Sequence, residues 1–327
     1  MIETGARGDR ASAPARAAAA LAAEPIPPPL PSRVTIREVG PRDGLQAEAP
    51  LPIEARVRLL DALSGCGLGK IEAVSFVSPR AVPAMAGVAE VWAAASRAPG
   101  VAYSALVPNR RGAEAAAEAG GFASLQAFLA ASDGYNRRNL GKTVEESVAD
   151  VAEVLEVGRD AGIPVEVSIS SAFGDPVEGE VPPSRVVGLA SRLTDLGAAG
   201  VSLGDTTGLA TPTRVWEMAV AFADRLPGLA LNLHLHDTRG TAMANALAAL
   251  EVGVTELDAS VGGLGGSPFA PGAGGNLATE DLVAMLEDMG VATGVDLGRL
   301  LSAARLAEEL VGHPVPGRLL RAGPRTS

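Results

Sequence analysis

Leu229-Ala230-Leu231-Asn232-Leu233-His234-Leu235-His236-Asp237-Thr238 is the stretch around which the rest of the chain is organised. Its apolar run predicts a β-strand over residues 230–236. Side chains on a strand alternate between faces, so His234 and His236 point to the same side, one strand repeat apart. Two imidazoles held in that way form half of a site for a divalent metal. The chain has 3 histidines, and two of them stand here. The competing reading is a pair of strand histidines satisfied by hydrogen bonds inside a core. The segments on either side weigh against it.

Outward from this strand the chain alternates. Short apolar or β-branched runs predict further strands at residues 34–40, 70–77, 101–108, 124–131, 164–171, 200–205 and 255–261. Segments with helical spacing lie between them, at 52–65, 83–97, 110–120, 143–161, 182–197, 211–226 and 240–252. Gly or Pro marks many joints, and Thr211-Pro212 reads as an N-cap followed by proline in the first turn. Eight strand–helix units predict an α/β fold of the TIM (β/α)8 barrel class, with a doubly wound open sheet as the alternative. Residues 278–312 add extra C-terminal helices. The division expected is an Ala/Pro-rich disordered extension over 1–32, a barrel over 33–312 and a short basic tail over 313–327.

In such a barrel the active site lies at the carboxyl ends of the strands. Polar residues collect there: Arg42, Asp43 and Gln46 after strand one, Glu72 and Ser75 in strand two, and Asp133 to Asn139 after strand four. Asp205 and Thr206 end strand six. A glycine-rich stretch over residues 262–275 follows strand eight, holds Ser267 and Phe269, and reads as a lid. Its glycines do not fit a dinucleotide fingerprint, and there is no phosphate-binding P-loop.

Composition narrows the functional classes. The net charge of −11 argues against nucleic acid or an anionic membrane as a partner. No apolar run reaches the roughly 18 residues of a membrane-spanning helix. Arg7, Arg10 and Arg16 resemble part of a transit peptide, but Glu3 and Asp9 oppose that, and no secretory core is present. The single cysteine, Cys66, forbids an internal disulfide and reads as a small buried hydrophobe, so a cytoplasmic location is expected.

The two imidazoles with Asp43 give a nitrogen and oxygen ligand set, and Asn276 offers a further oxygen. Such a set suits Mg2+, Mn2+, Co2+ or Zn2+ with positions left for substrate. Arg42 stands where it can stabilise charge on a substrate carbonyl oxygen; a surface arginine paired with Glu38 or Asp205 is the plainer alternative. Glu72 and Asp205 are expected to hold Arg42 or a histidine.

Five motifs, in order, now carry a resemblance: Val39-Gly40-Pro41-Arg42-Asp43-Gly44-Leu45-Gln46, Ser75-Phe76-Val77-Ser78-Pro79, Ser202-Leu203-Gly204-Asp205-Thr206, His234-Leu235-His236-Asp237-Thr238, and Gly263-Leu264-Gly265-Gly266 through Asn276-Leu277-Ala278-Thr279-Glu280-Asp281-Leu282. Over residues 33–312 the chain resembles 3-hydroxy-3-methylglutaryl-CoA lyase, of the DRE-TIM metallolyase superfamily. The resemblance implies a TIM barrel, a divalent cation (Mg2+ or Mn2+), an acyl-CoA substrate, a place in leucine catabolism and a homodimer. It implies retro-Claisen cleavage to acetyl-CoA and acetoacetate. By position it assigns the cation to Asp43, His234, His236 and Asn276, and the enolate to Arg42. Arg42, Glu72, Asp205, His234 and Ser267 then form the catalytic set, and Arg42, Gln46, Ser75, Asn139 and Thr206 the substrate contacts.

Ser267 departs from that family. The family's loop carries a catalytic cysteine there, and an unactivated hydroxyl does not exchange a proton near neutral pH as a thiol does. A citramalyl-like thioester as substrate, a Claisen-type synthase and a non-catalytic CoA-thioester sensor are the other readings. The synthases carry a long region after the barrel, and only some fifteen residues follow Gly312 here. Lys142, Arg137 and Arg138 are candidates for the CoA phosphates, or else a solvated charged loop. His313 lies outside every motif.

Overall fold

The computed structural model describes residues 30–176, 178–266 and 274–325. Ser267, Phe269 and the expected extension as far as residue 29 lie outside them. Eight strands pair in sequence order: β1 (Thr35–Glu38), β2 (Lys70–Ser75), β3 (Ala102–Leu106), β4 (Ser124–Ala130), β5 (Val165–Ser170), β6 (Gly200–Gly204), β7 (Leu231–His234) and β8 (Glu256–Ala259). Every pairing is parallel, and β1 pairs with β8, closing the barrel. An open sheet would have left both those edges unpaired, so the fold is a TIM barrel.

The covering helices follow the strands: α1 (Ile53–Ser64), α2 (Val88–Ala94), α3 (Arg110–Ala119), α4 (Asp133–Leu140), α5 (Val144–Ala161), α6 (Pro183–Asp195), α7 (Pro212–Arg225) and α8 (Ala242–Glu251). After β8 come α9 (Thr279–Asp288), α10 (Leu297–Val311) and the short α11 (Leu319–Ala322), which lies in the expected tail. Three local expectations change. The helix expected over 83–97 is a 3-10 turn, Pro83–Met85, followed by α2, because Gly87 between them takes a φ of +71°. The loop expected after strand four is α4, capped by Ser132, whose Oγ accepts the Tyr135 N–H at 3.2 Å. Thr211 sits at the N-cap of α7 but makes no side-chain capping bond; Pro212 sets the first turn.

The barrel wall is apolar outside and polar inside. Ile36, Val167, Ile169, Leu203, Leu233 and Leu257 are all buried, each worth about 2 kcal/mol of transfer free energy. The alternate positions carry charge. Arg37 on β1 donates to Asp258 on β8 at 2.8 and 3.0 Å and to Glu166 on β5 at 2.9 Å. β1 and β5 are not neighbours, so this bridge crosses the lumen. Such buried ions are tolerated because each is paired; removing one partner typically costs about 3–5 kcal/mol.

The chain after β8 packs back on the same end. Glu280, in the first turn of α9, accepts the Gly262 N–H at 3.0 Å and is fully buried. Burial, opposed by its backbone hydrogen bonds, raises its carboxyl to about 7. A folded-state value above the unfolded one means the native state keeps its proton longer. Stability from this group is therefore full below about pH 4.5 and declines as pH rises towards 7. Glu280→Gln should flatten that decline by on the order of 2 kcal/mol between pH 5 and 7.5. Urea unfolding at a series of pH values measures it, and an unchanged slope would refute the assignment.

Candidate active site

The carboxyl ends of the strands open into a cavity of about 390 Å3 lined by Arg42, Asp43, His234, His236 and Asp258 on its polar side. Leu106, Phe128 and Tyr135 supply part of an apolar wall, with Ser168 and Ser202 as small polar positions. Arg42 and Asp43 stand on a five-residue π turn, Gly40–Gly44, that leaves β1 directly and buries both side chains. Glu38 fixes this turn by accepting the Gly40 and Val261 N–H groups at 2.7 and 2.9 Å.

β7 ends at His234, so His236 stands two residues beyond the strand that was expected to carry both. The backbone stays extended there because His236 forms an isolated bridge with Asn276. The two imidazoles still share a side: their Nε2 atoms lie 3.1 Å apart. Asp43 Oδ2 lies 3.7 Å from His234 Nε2. One ligand atom from each of Asp43, His234 and His236 falls within 4.8 Å of the others. Ligands about 2.1 Å from a common ion stand about 3 Å apart, so the cluster is close to the required size.

The donor chemistry agrees. Asn276 Nδ2 donates to Asp43 Oδ2 at 2.7 Å and to the Leu264 carbonyl at 2.9 Å. Its Oδ1 is left buried with no hydrogen-bond partner among the described residues, an oxygen that a cation would satisfy. Gly265 admits this contact, since a Cβ there would sit 2.3 Å from Asn276 Nδ2. Burial pushes the Asp43 carboxyl up, but Arg42, the two histidines and Asn276 outweigh it and hold it below its ordinary value. Burial and the neighbouring His234 push His236 down to about 4. An anionic carboxylate beside a neutral imidazole is the protonation state a metal requires.

Arg42 is held from two sides. Its Nε donates to Glu72 and its Nη1 donates to Asp43 Oδ1 at 2.5 Å. The surface pairing with Glu38 or Asp205 is not found; Arg42 is buried. Asp205 does something else than expected. Its Oδ1 accepts the Leu209 and Ala210 N–H groups at 2.7 and 3.0 Å, so it ties down the turn after β6 rather than Arg42 or a histidine. Burial raises its carboxyl to about 7.

The HMGL-like family profile matches residues 33–307. The chain belongs to the HMGL-like family. It is 45% identical over 294 residues to the hydroxymethylglutaryl-CoA lyase YngG of Bacillus subtilis, covering 90% of this chain and 98% of that one. It is 44% identical over 303 residues to the (R)-citramalyl-CoA lyase of Chloroflexus aurantiacus, covering 89% and 95%. Among solved structures, an HMG-CoA lyase from Acinetobacter baumannii in complex with coenzyme A and 3-methylmalate superposes with a TM-score of 0.87 at 38% identity, covering 90% and 97%.

In this HMGL-like chain the remaining expected residues separate into groups. Gln46, Asn139 and Thr206 line the cavity; Gln46 donates to Asp43 Oδ1 at 2.7 Å. Ser75, at the end of β2, is buried away from the cavity lining, with its Oγ unpartnered among the described residues. Lys142 pairs with Asp150, Arg137 with Asp133 at 3.6 Å and Arg138 with Asp175 at 3.9 Å. His313 pairs with Glu48 at 2.8 Å. Cys66 is buried, and burial raises its thiol to about 12, as befits an inert core residue. Among the described residues no helix is long and apolar enough to cross a membrane. The sequence reading passed over Asp258, although an acid inside an apolar strand is the same signal that singled out Glu72.

Proposed function

We propose that this protein is a carbon–carbon lyase that cleaves a 3-hydroxy-3-methylglutaryl-CoA-like thioester to acetyl-CoA and acetoacetate. The observation that carries this reading is the convergence of Asp43, His234, His236 and Arg42 on one cavity. Asp43, His234, His236 and Asn276 would hold Mg2+ or Mn2+. A bound divalent cation supplies Lewis acidity, which lowers the pKa of a substrate hydroxyl and offsets a substrate carboxylate.

The chain's own groups complete the chemistry. The tertiary hydroxyl gives its proton to solvent water in the cavity as its oxygen becomes the ketone carbonyl. The C–C bond breaks, and its electron pair passes to the α-carbon of the departing acetyl thioester. Arg42 faces the developing enolate oxygen with a charge fixed in place by Glu72, so little reorganisation is needed at the moment of cleavage. Ser267, in the position of the family's cysteine, would give its proton to that carbon and take one back from the water protonated by the substrate hydroxyl. His234 has both ring nitrogens committed, to Asp258 and to the cluster, so its part in catalysis is as a ligand. Asn139 and Thr206 remain as substrate contacts; Ser75 and Asp205 act from behind the cavity wall.

The test is a panel of 3-hydroxyacyl-CoA thioesters assayed for acetyl-CoA release with Mg2+ or Mn2+. HMG-CoA should give the highest kcat/KM, and a chelator should stop turnover until cation is restored. A higher kcat/KM for citramalyl-CoA would move the assignment to that lyase. No acetyl-CoA from any thioester would overturn it.

A further inference from the structure

In the polar lining of the cavity stands a carboxylate that the proposed chemistry does not use. Asp258 on β8 is level with His234 on β7 and Arg37 on β1, as the strand register pairs all three. Its Oδ1 accepts from Arg37 Nε at 2.8 Å and from Asn232 Nδ2 at 2.7 Å. Its Oδ2 accepts from Arg37 Nη2 at 3.0 Å and lies 3.1 Å from His234 Nδ1. A carboxylate gripped by a guanidinium fork has only lone pairs to offer. The imidazole nitrogen that faces it must therefore be the one that carries hydrogen. That leaves the lone pair of His234 on Nε2, the atom that faces Asp43 and His236.

We infer that Asp258 is a positioning residue: it fixes the tautomer and the ring plane of His234 so that Nε2 is presented as a ready cation ligand. Asp258 cannot turn away to another partner, because Arg37 is itself anchored. Arg37 Nη1 donates to Glu166 at 2.9 Å, and Glu166 also accepts from Gln126 Nε2 at 2.8 Å. Asn232 is tied in turn to Ser202 Oγ at 3.0 Å. The ligand's orientation is thus set from β1, β4, β5, β6 and β8 together, through side chains that never meet a cation. Outer partners of this kind commonly change metal affinity by about 10–100-fold when removed.

The inference rests on the reading of His234 as a cation ligand, and the experiment separates the two. With 3 histidines in the chain, the imidazole 15N spectrum has few rings to assign, and His234→Gln identifies the ring of interest by its missing signals. In metal-free wild-type protein at pH 8.5, His234 should carry its proton on Nδ1 and show an unprotonated Nε2. In Asp258→Asn either amide orientation sets an N–H against Arg37 or against His234. The variant should then show a mixed or reversed tautomer, and Mn2+ affinity read by electron paramagnetic resonance should fall about 10–100-fold. A wild-type His234 protonated on Nε2 alone overturns the inference, even if the variant does not fold. So does a folded Asp258→Asn variant that binds Mn2+ within about threefold of wild type. Wild-type protein that shows the expected tautomer yet binds no Mn2+ overturns the ligand reading instead, and the positioning role with it.

Discussion

Arg42→Met should lower kcat on HMG-CoA by about a thousandfold while KM changes little. One preorganised donor to a developing oxyanion is typically worth 10²–10³ in rate, about 3–4 kcal/mol of barrier. Arg42 belongs at the upper end, because it carries a full charge in a buried place and, in the chemistry proposed, meets the oxygen only as the C–C bond opens. An interaction made in the transition state alone lowers kcat and kcat/KM together. The substitution also strands Glu72 and leaves Asp43 one donor short. A loss of stability of about 3–5 kcal/mol should accompany it, visible as a lower unfolding midpoint in urea. Arg42→Lys keeps the charge but not the two-sided hold, and should fall between. Steady-state kinetics on protein shown to be folded by circular dichroism decides the matter. A folded Arg42→Met enzyme within tenfold of wild-type kcat would remove Arg42 from the reacting centre.

Ser267→Cys should raise HMG-CoA turnover at least about tenfold. A thiol with a pKa near 8.5 can give and regain a proton near neutral pH, whereas an unactivated alcohol cannot. Positioned proton transfer contributes roughly 10²–10⁴ where it is complete, and the tenfold named here is a lower bound on that gain. Serine and cysteine are close in size, so KM should hardly move. The gain should also shrink as pH rises from about 7 to 9, because a thiol with a pKa near 8.5 then loses the proton it has to supply, a loss the parent's hydroxyl does not share. Equal turnover in the two proteins would mean that the proton returns by another route, and that Ser267 is not the acid.

Much of this molecule could be read from the order of its residues. The eight strands, their covering helices and the end of the barrel that carries chemistry all follow from period-two and period-3.6 patterning with glycine and proline at the joints. That Arg42, Asp43, His234 and His236 would meet at one rim was legible because residue types able to bind a cation or an anion stood at or just past the ends of apolar runs. The failures were local. Residues 133–140 are too polar to betray a helix by periodicity, and only the Ser132 cap and contact with β4 make one. Asp205 is a strand-end acid like Glu72, yet it turns to two backbone N–H groups, a choice made by the path of the loop after β6.

The sequence alone determined the topology and the inventory of ligands, because hydrophobic periodicity and backbone stereochemistry act over a few residues at a time. Which side chains became partners was decided only when β8 closed against β1. Arg37, Glu166, Asn232 and Asp258 lie as far apart as 221 positions along the chain. They meet because the lumen excludes water, and a buried charge must then find an opposite one.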